Sequence, residues 1–273
     1  MNHWETSVCK TNGISMHYTR TGGDKPPIIL LHGLMANGLC WSGFAGILEK
    51  DFDVIMPDAR GHGQSSVPDF GYSYKDHADD VIGLIDALEL TNCTLLGHSM
   101  GGMTAAVVAS RKPAQLRCLV LADPTFISPE MQREVRDSDV ADQHRRYLAM
   151  SSDEVAADVR IRHPNRLEET ILLYAQARLQ TSMAAFDVLT PPNPDFRMLV
   201  GDIDVPSLII YGDKGVVTSD VAAELQNLNP HLQAVLIEGA GHSLHLDQPE
   251  RFSNAVLSFM TSIEDHKATY ESP

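Results

Sequence analysis

The pentapeptide Gly-His-Ser-Met-Gly at residues 97–101 constrains this chain more than any other stretch of its sequence. It follows the apolar run 93–96 and precedes the helix-like stretch 102–109, so it predicts a strand, a sharp turn and a helix. A side chain at either glycine would collide with the neighbouring strand and helix backbone. Such a turn would hold the hydroxyl of Ser99 out of the sheet, at the positive end of the helix dipole. The pattern therefore favours a reactive serine over a plain glycine-rich turn.

Short apolar runs alternate with helix-like stretches along most of the chain. Continuous apolar strands, typical of a parallel sheet that is buried on both faces, are predicted at 27–31, 54–56, 94–96, 119–122, 208–211 and 234–237. Apolar spacing and start signals predict helices at 74–88, 218–228 and 250–263. The dipeptide Asn12-Gly13 predicts a hairpin between strands at 6–10 and 14–20. We therefore expect an α/β protein with a mostly parallel sheet flanked by helices.

One segment, residues 124–204, breaks this alternation because it contains no convincing strand. Serines at 151–152 followed by acidic residues at 153–154 indicate a capped helix, and residues 166–181 carry a second helical pattern. We interpret the segment as a helical cap over the carboxyl ends of the strands. The core domain would then consist of residues 1–123 and 205–273. The alternative is a helical excursion that has no role in binding.

The charge of the chain argues against some classes of partner. Its 273 residues carry a formal charge of −15, which nucleic acid and anionic membrane surfaces would repel. No apolar run approaches the length of a membrane span, and the four cysteines lack paired or zinc-binding spacing. Residues 1–6 lack the basic and apolar parts of a signal peptide. We expect a cytoplasmic protein that acts on a small molecule, with no metal, cofactor, nucleic acid or membrane partner.

A serine hydroxyl needs a base and an orienting acid to become a nucleophile at neutral pH. We assign the base to His242, because it follows the last predicted strand and the glycine-rich stretch 238–241, and His245 is a weaker rival. The oxyanion needs backbone donors. The expected pair is the N–H of Met100, directly after the serine, and the N–H of Leu34, in the loop after the strand 27–31.

Four motifs resemble, in order, those of the α/β-hydrolase superfamily. They are His-Gly at 32–33, Asp-Ala-Arg-Gly-His-Gly-Gln-Ser at 58–65, Gly-His-Ser-Met-Gly-Gly at 97–102 and Gly-His at 241–242. The resemblance covers nearly the whole chain outside the segment 124–204. It implies a mostly parallel sheet of eight strands with a helical cap inserted after strand six. It also makes Asp58 and Arg60 loop-forming residues rather than catalytic ones.

One position departs from the family pattern. Members usually place the triad acid in a Gly-x-x-Asp stretch after strand seven, but the corresponding residues here are Gly-Asp-Lys-Gly at 212–215. Asp213 could act from two positions earlier. Asp123, 24 residues after Ser99 at the tip of strand six, could instead reach the histidine from the adjacent strand, as in some members of the superfamily. We favour Asp123 and keep Asp213 as the alternative.

With serine at the turn, the resemblance favours acyl transfer over the aspartate chemistry of haloalkane dehalogenases and epoxide hydrolases. Ser99 would attack a carbonyl carbon, His242 would move the proton, and water would release the acid. The expected substrate is a small carboxylic ester, a lactone or an activated amide, because a cap of this size encloses a pocket. Two alternatives stay open. One is hydrolysis of a carbon–carbon bond, and the other is a non-catalytic small-molecule receptor, which the glycine at position 215 favours.

The segment 124–204 is rich in arginine. An arginine there could bind a substrate carboxylate, although most are expected on solvated helix faces. The candidates are Arg145, Arg146, Arg160, Arg162, Arg166 and Arg178.

Overall fold

The computed structural model describes the backbone of residues 4–270 and the side chains of residues 4–264. Its strands are β1 (Glu5–Thr11), β2 (Ile14–Arg20), β3 (Pro27–Leu31), β4 (Asp53–Pro57), β5 (Cys93–His98), β6 (Leu116–Ala122), β7 (Ser207–Lys214) and β8 (Leu232–Gly241). Its α-helices are α1 (Ser42–Leu48), α2 (Tyr74–Ala87), α3 (Met100–Ser110), α4 (Pro129–Asp137), α5 (Val140–Tyr147), α6 (Ser152–Arg162), α7 (Glu168–Leu179), α8 (Phe196–Asp202), α9 (Ser219–Leu228), α10 (Leu244–Asp247) and α11 (Pro249–Tyr270). Short 3-10 helices lie at Gly38–Trp41 and Met183–Leu189.

The strands form one eight-stranded sheet in the order β1-β2-β4-β3-β5-β6-β7-β8. β2 is antiparallel to its neighbours β1 and β4, and the other neighbouring pairs are parallel. The predicted hairpin is present, and both of its turn residues, Asn12 and Gly13, have positive φ. The mostly parallel sheet expected from the sequence is confirmed. Because β3, β5, β6, β7 and β8 are parallel neighbours, their carboxyl ends meet at one edge of the sheet.

Helices cover both faces of this sheet. In β3, Ile29 and Leu31 belong to an apolar cluster with α2, α3, α8 and α9. Ile28 and Leu30 belong to a second cluster, with α1 and α11, on the other face. All four side chains are buried. Burial on both faces explains why these strands appear in the sequence as continuous apolar runs.

The predicted helices of the sheet-bearing part exist, with small shifts at their ends. α2 begins at Tyr74 behind a capping box that Ser73 and Asp76 form. α11 begins at Pro249 rather than at residue 250, because proline suits the first helical turn, and it continues past 263 to Tyr270. Among the described residues, no helix combines the length and the apolar character needed to cross a lipid bilayer.

Residues 124–204 contain five α-helices, α4 to α8, and no strand. Ser151 caps α6 as predicted, whereas α7 spans Glu168–Leu179 rather than 166–181. The segment has a small apolar cluster of its own, with Tyr147, Val155, Val159 and Ile171 among its members. α4 and α5 were not predicted, because they are short and contain few apolar residues, so they give little apolar periodicity.

Candidate active site

Ser99 lies on the turn between β5 and α3, with φ 55° and ψ −118°. These dihedrals are rare for a residue other than glycine, so the surrounding packing must hold them. A Cβ added at Gly97 would lie 2.1 Å from the carbonyl oxygen of Gly101, and one added at Gly101 would lie 2.5 Å from that of Leu31. The N–H of Ser99 donates to the carbonyl oxygen of Ala122 at 3.1 Å, which ties the turn to the end of β6.

His242 forms hydrogen bonds on both sides of its ring. Its Nε2 lies 2.8 Å from Oγ of Ser99, and its Nδ1 lies 2.6 Å from Oδ2 of Asp123. The carboxylate can only accept, so it holds the proton on Nδ1 and leaves the lone pair of Nε2 directed at the serine hydroxyl. Asp123 is fully buried, whereas the side chain of His242 is 39% exposed. The structure therefore brings together a hydroxyl, an imidazole and a carboxylate in the order that nucleophile activation requires.

The carboxylate of Asp123 lies at the carboxyl end of β6, below the histidine. It accepts hydrogen bonds from the N–H of Val216, at 2.9 and 3.1 Å, and from that of Val217, at 2.9 Å. These donors compensate for its removal from water. The carboxylate is thus held in one orientation, with Oδ2 facing the imidazole.

Gly215 leaves room for that carboxylate. A Cβ added at position 215 would lie 2.7 and 2.8 Å from the two carboxylate oxygens of Asp123. A side chain at 215 and the observed position of Asp123 are therefore mutually exclusive. The alternative acid, Asp213, is exposed, and its Oδ1 accepts from the N–H of Gly239 at 2.9 Å. In the described part of the chain it forms no hydrogen bond with His242.

Two more histidines, His98 and His245, line the same cavity as His242. His98 donates from Nε2 to the backbone carbonyl oxygen of His242 at 2.8 Å, and burial lowers the pKa of His98 well below its usual 6.5. His245 forms a hydrogen bond with the hydroxyl of Tyr174 at 3.1 Å, and burial lowers the pKa of His245 to about 3. His245, the weaker rival for the base, makes no hydrogen bond to Ser99 among the described residues. The hydrogen bond from His98 was not predicted, because it depends on how the loop that contains His242 packs against the end of β5.

The two expected oxyanion donors face the same cavity as the serine. Leu34 and Met100 both line the space over Ser99. Met100 is the first residue of α3, so its N–H has no acceptor within the helix. Neither N–H donates to another backbone group in the part of the chain that the structure describes. Both donors are therefore available to a ligand.

A cavity of about 440 Å³ opens over Ser99 and His242. Its size is typical of sites for small ligands. The loop after β3 forms one wall, and residues of the segment 124–204, among them Val135, Tyr174 and Val188, form much of the rest. Within the described residues, no three His, Cys, Asp or Glu side chains are grouped so that they could hold a metal ion.

A sheet of this order, with a serine on the turn after β5 and a histidine after β8, is the arrangement of α/β hydrolases. A family model for the alpha/beta hydrolase fold matches residues 26–249, so the chain belongs to this family. It is 28% identical to 2-(acetamidomethylene)succinate hydrolase of Mesorhizobium japonicum, over 88% of this chain and 90% of that protein. It is 30% identical to N-formylmaleamate deformylase of Pseudomonas putida, over 91% of this chain and 94% of that protein.

The structural comparison agrees with the sequence comparison. The crystal structure of an E-2-(acetamidomethylene)succinate hydrolase superposes with a TM-score of 0.83 at 26% identity, and the match covers 95% of this chain and all of that one. These relatives are hydrolases that act on small molecules, by the names they carry. The chain is thus similar along nearly its whole length to hydrolases of the same fold.

Proposed function

We propose that this protein is a serine hydrolase that cleaves a small carboxylic ester, lactone or activated amide through an acyl-enzyme intermediate. The observation that carries this proposal is the hydrogen-bonded series Ser99–His242–Asp123, with bonds of 2.8 and 2.6 Å, at the base of a cavity. The series has the geometry of a nucleophile, its base and the group that orients the base.

In the first half of the reaction, Oγ of Ser99 attacks the carbonyl carbon while its proton passes to Nε2 of His242. The carbonyl oxygen becomes an oxyanion, which accepts hydrogen bonds from the N–H groups of Leu34 and Met100. Losing one such donor typically raises the barrier by about 2.7–4 kcal/mol. The protonated imidazole then gives its proton to the departing oxygen or nitrogen, and the acyl group stays on the serine.

In the second half, His242 takes a proton from a water molecule, whose oxygen attacks the acyl carbon. The tetrahedral intermediate collapses, the carboxylic acid leaves, and the proton returns to Oγ of Ser99. Asp123 keeps the imidazole in the required tautomer in both halves. His98 supports the same geometry from the backbone side, because it holds the carbonyl oxygen of residue 242.

The segment 124–204 acts in this proposal as a cap on a core formed by residues 1–123 and 205–273. The contacts that hold the segment on the core near the cavity include two hydrogen bonds from core residues or to them. The side-chain amide of Asn37 donates to that of Gln180 at 2.9 Å, and the N–H of Ser182 donates to the carbonyl oxygen of Gly61 at 2.8 Å. The volume of the cavity, about 440 Å³, suits a small acyl compound.

The names of the two relatives favour the amide among the three substrate types. Acetamidomethylene and N-formyl groups are both acyl groups on nitrogen. The contact of Gly215 with Asp123 also weakens the alternative of a non-catalytic receptor. The only feature that favours this alternative is the absence of an acid at position 215. A turnover assay should nevertheless include esters and lactones, because the same acyl-enzyme chemistry serves all three.

The test is covalent labelling with a fluorophosphonate together with hydrolysis of p-nitrophenyl acetate. The native protein should label and turn over, and Ser99→Ala should do neither. Ser243→Ala is the matched control, because Ser243 lines the same cavity and its hydroxyl forms no hydrogen bond among the described residues. It should label as the native protein does. Absence of both labelling and turnover in the native protein contradicts the proposal.

A further inference from the structure

Arg178, on α7, is unusual among the arginines of the cap. Its guanidinium carbon lies 4.4 Å from the ring centroid of Tyr147, so the planar group stacks on that ring. Its side chain is half-buried and lines the cavity that contains Ser99. Within the described residues, no carboxylate oxygen lies within 4.0 Å of its nitrogens, and they have no hydrogen-bond acceptor. The structure thus holds a positive charge at the cavity wall that has no acidic partner among the described residues.

The other arginines singled out in the cap all have acidic partners. The pairs are Arg145–Asp142, Arg146–Asp139, Arg160–Glu168, Arg162–Asp158 and Arg166–Asp247. Asp158, whose charge acts on Arg178, is already engaged, since it accepts from the hydroxyl of Tyr147 and pairs with Arg162 at 3.0 Å. Arg178 is therefore the one of these six arginines that has no acidic partner among the described residues.

The charge of the cavity wall is opposite to that of the chain. The wall contains Arg166 and Arg178 and no Asp or Glu, although acidic residues outnumber basic ones by 36 to 21 in the whole sequence. Burial lowers the pKa of Arg178, so the cavity environment disfavours its charged form. A negatively charged ligand group next to the guanidinium would offset that penalty.

We infer that Arg178 binds a carboxylate carried by the substrate, at a distance from the carbonyl that Ser99 attacks. This inference rests on the proposed function, because the cavity must hold the acyl compound. One unpaired guanidinium offers two parallel N–H donors, which match the two oxygens of one carboxylate. The charge of Arg166 is already balanced in part by Asp247, 3.7 Å away, so the wall suits a single negative charge rather than a phosphate dianion. The substrate class is then a small ester, lactone or amide with a free carboxylate.

A kinetic comparison tests the assignment with substrates that differ only in the carboxylate. The anionic series is monomethyl succinate, glutarate and adipate, and the neutral partners are methyl butanoate, pentanoate and hexanoate. The native protein should prefer the anionic ester at one chain length or more, by about tenfold in kcat/KM. Arg178→Met should abolish that preference, mainly by raising KM for the anionic esters. Arg178→Lys should retain part of it.

Arg145→Met is the matched control, since Arg145 also lies in the cap but pairs with Asp142 on the exposed surface. It should change neither series. A native protein that hydrolyses the neutral esters as fast as the anionic ones at all three lengths overturns the inference. So does a preference that survives in Arg178→Met.

A binding measurement separates this inference from the proposed function. Ser99→Ala protein, which cannot form an acyl-enzyme, is titrated with glutarate by calorimetry, and the same titration is made with Ser99→Ala/Arg178→Met. Glutarate should bind the first protein and bind the second at least about tenfold more weakly. If glutarate behaves this way but the native protein neither labels nor turns over, only the hydrolase proposal fails. Equal glutarate binding by both variants, no binding by the first, or tighter binding of inorganic phosphate contradicts the carboxylate site.

Discussion

Two histidine–aspartate pairs in this molecule have similar geometry and different surroundings. Nδ1 of His242 lies 2.6 Å from Asp123, and Nδ1 of His17 lies 2.9 Å from Asp58. The side chain of His17 is only 9% exposed, within β2, whereas that of His242 is 39% exposed and faces the cavity. Only His242 presents its second ring nitrogen to the hydroxyl of Ser99. A short imidazole–carboxylate bond therefore does not by itself indicate a catalytic base.

Asp58 shows what the other pair does instead. Its Oδ1 accepts from the N–H of Gly38 at 2.8 Å, and its Oδ2 accepts from that of Gln64 at 2.9 Å as well as from His17. The carboxylate thus joins the loops after β3 and β4 to β2. These contacts agree with its interpretation from the sequence as a loop-forming residue. We therefore predict that neutralising Asp123 lowers kcat, whereas neutralising Asp58 lowers the free energy of unfolding.

The largest expected effect is that of Asp123→Asn. The new amide would still accept from Val217 through its oxygen, but its nitrogen would donate to Nδ1 of His242 and force the proton onto Nε2. The imidazole could then no longer accept the proton of Ser99. We expect kcat for p-nitrophenyl acetate to fall by about 10⁴-fold, as tautomer loss does in other triads.

The matched control for Asp123→Asn is Asp213→Asn. Asp213 bonds only with the N–H of Gly239 in the described part of the chain, so its replacement should leave kcat nearly unchanged. The reverse ranking of the two variants would assign the acid to Asp213. A large loss of kcat in Asp58→Asn, with the protein still folded, would remove the distinction between the two pairs.

The next effect concerns the position of the proposed acid, Asp123, directly after β6. In Gly215→Ala the new methyl group would lie under 3.0 Å from the carboxylate of Asp123, which must then move. A displacement of this kind typically lowers the rate by about 10²-fold. We expect kcat to fall by that amount and the rate of fluorophosphonate labelling to fall with it.

A double variant tests whether a carboxylate at position 215 can replace that of Asp123. Asp123→Ala/Gly215→Asp removes the observed carboxylate and places one where the family pattern usually has it. It should recover part of the activity that Asp123→Ala loses. A Gly215→Ala protein with native kcat would show that the carboxylate tolerates the methyl group and that the clash is unimportant.

Asp58→Asn should act on stability rather than on chemistry. The substitution weakens the charge-assisted hydrogen bond to His17. It also replaces one carboxylate oxygen, which accepts from a backbone N–H group, with an amide nitrogen that can only donate. We expect the free energy of unfolding to fall by about 1–3 kcal/mol, measured by denaturant titration. The folded variant should keep its kcat within about twofold, because Asp58 touches no group of the proposed reaction.

Much of the fold and of the candidate site could be predicted because the relevant signals are local. The glycines on both sides of Ser99 follow from a steric requirement within one turn, and the apolar strands show their burial directly. Asp123 followed from a departure at Gly215 together with the family pattern. The contact between these two residues could not be predicted, because it depends on the register of β6 against β7.

The proposed carboxylate site at Arg178 shows a different limit of sequence-based prediction. Six arginines of the segment 124–204 are candidates, and sequence alone could not separate Arg178 from the other five. The distinction depends on which turn of α7 faces the cavity and on which acids the neighbouring helices bring close. α4 and α5 lie in the same region and were missed, since short helices with few apolar residues give a weak apolar pattern.

The smallest expected effect concerns a buried histidine that, unlike His17 and His242, has no carboxylate partner among the described residues. Burial lowers the pKa of His77 to about 3, with repulsion from Arg60 and His32 adding to it and Asp76 opposing it. The unfolded chain therefore binds more protons than the folded one between about pH 6.5 and pH 3, so the free energy of unfolding should fall as the pH is lowered through this window. Each such histidine contributes at most about 1.4 kcal/mol per pH unit.

His77→Leu should reduce this acid sensitivity, because leucine carries no proton in either state. The melting temperature of the variant should fall less steeply between pH 6.5 and pH 4 than that of the native protein. His231→Gln is the control, since His231 is exposed and its replacement should leave the slope unchanged. Identical slopes for His77→Leu and the native protein would mean that the ring of His77 takes up its proton without unfolding, and that its burial is less complete than the structure indicates.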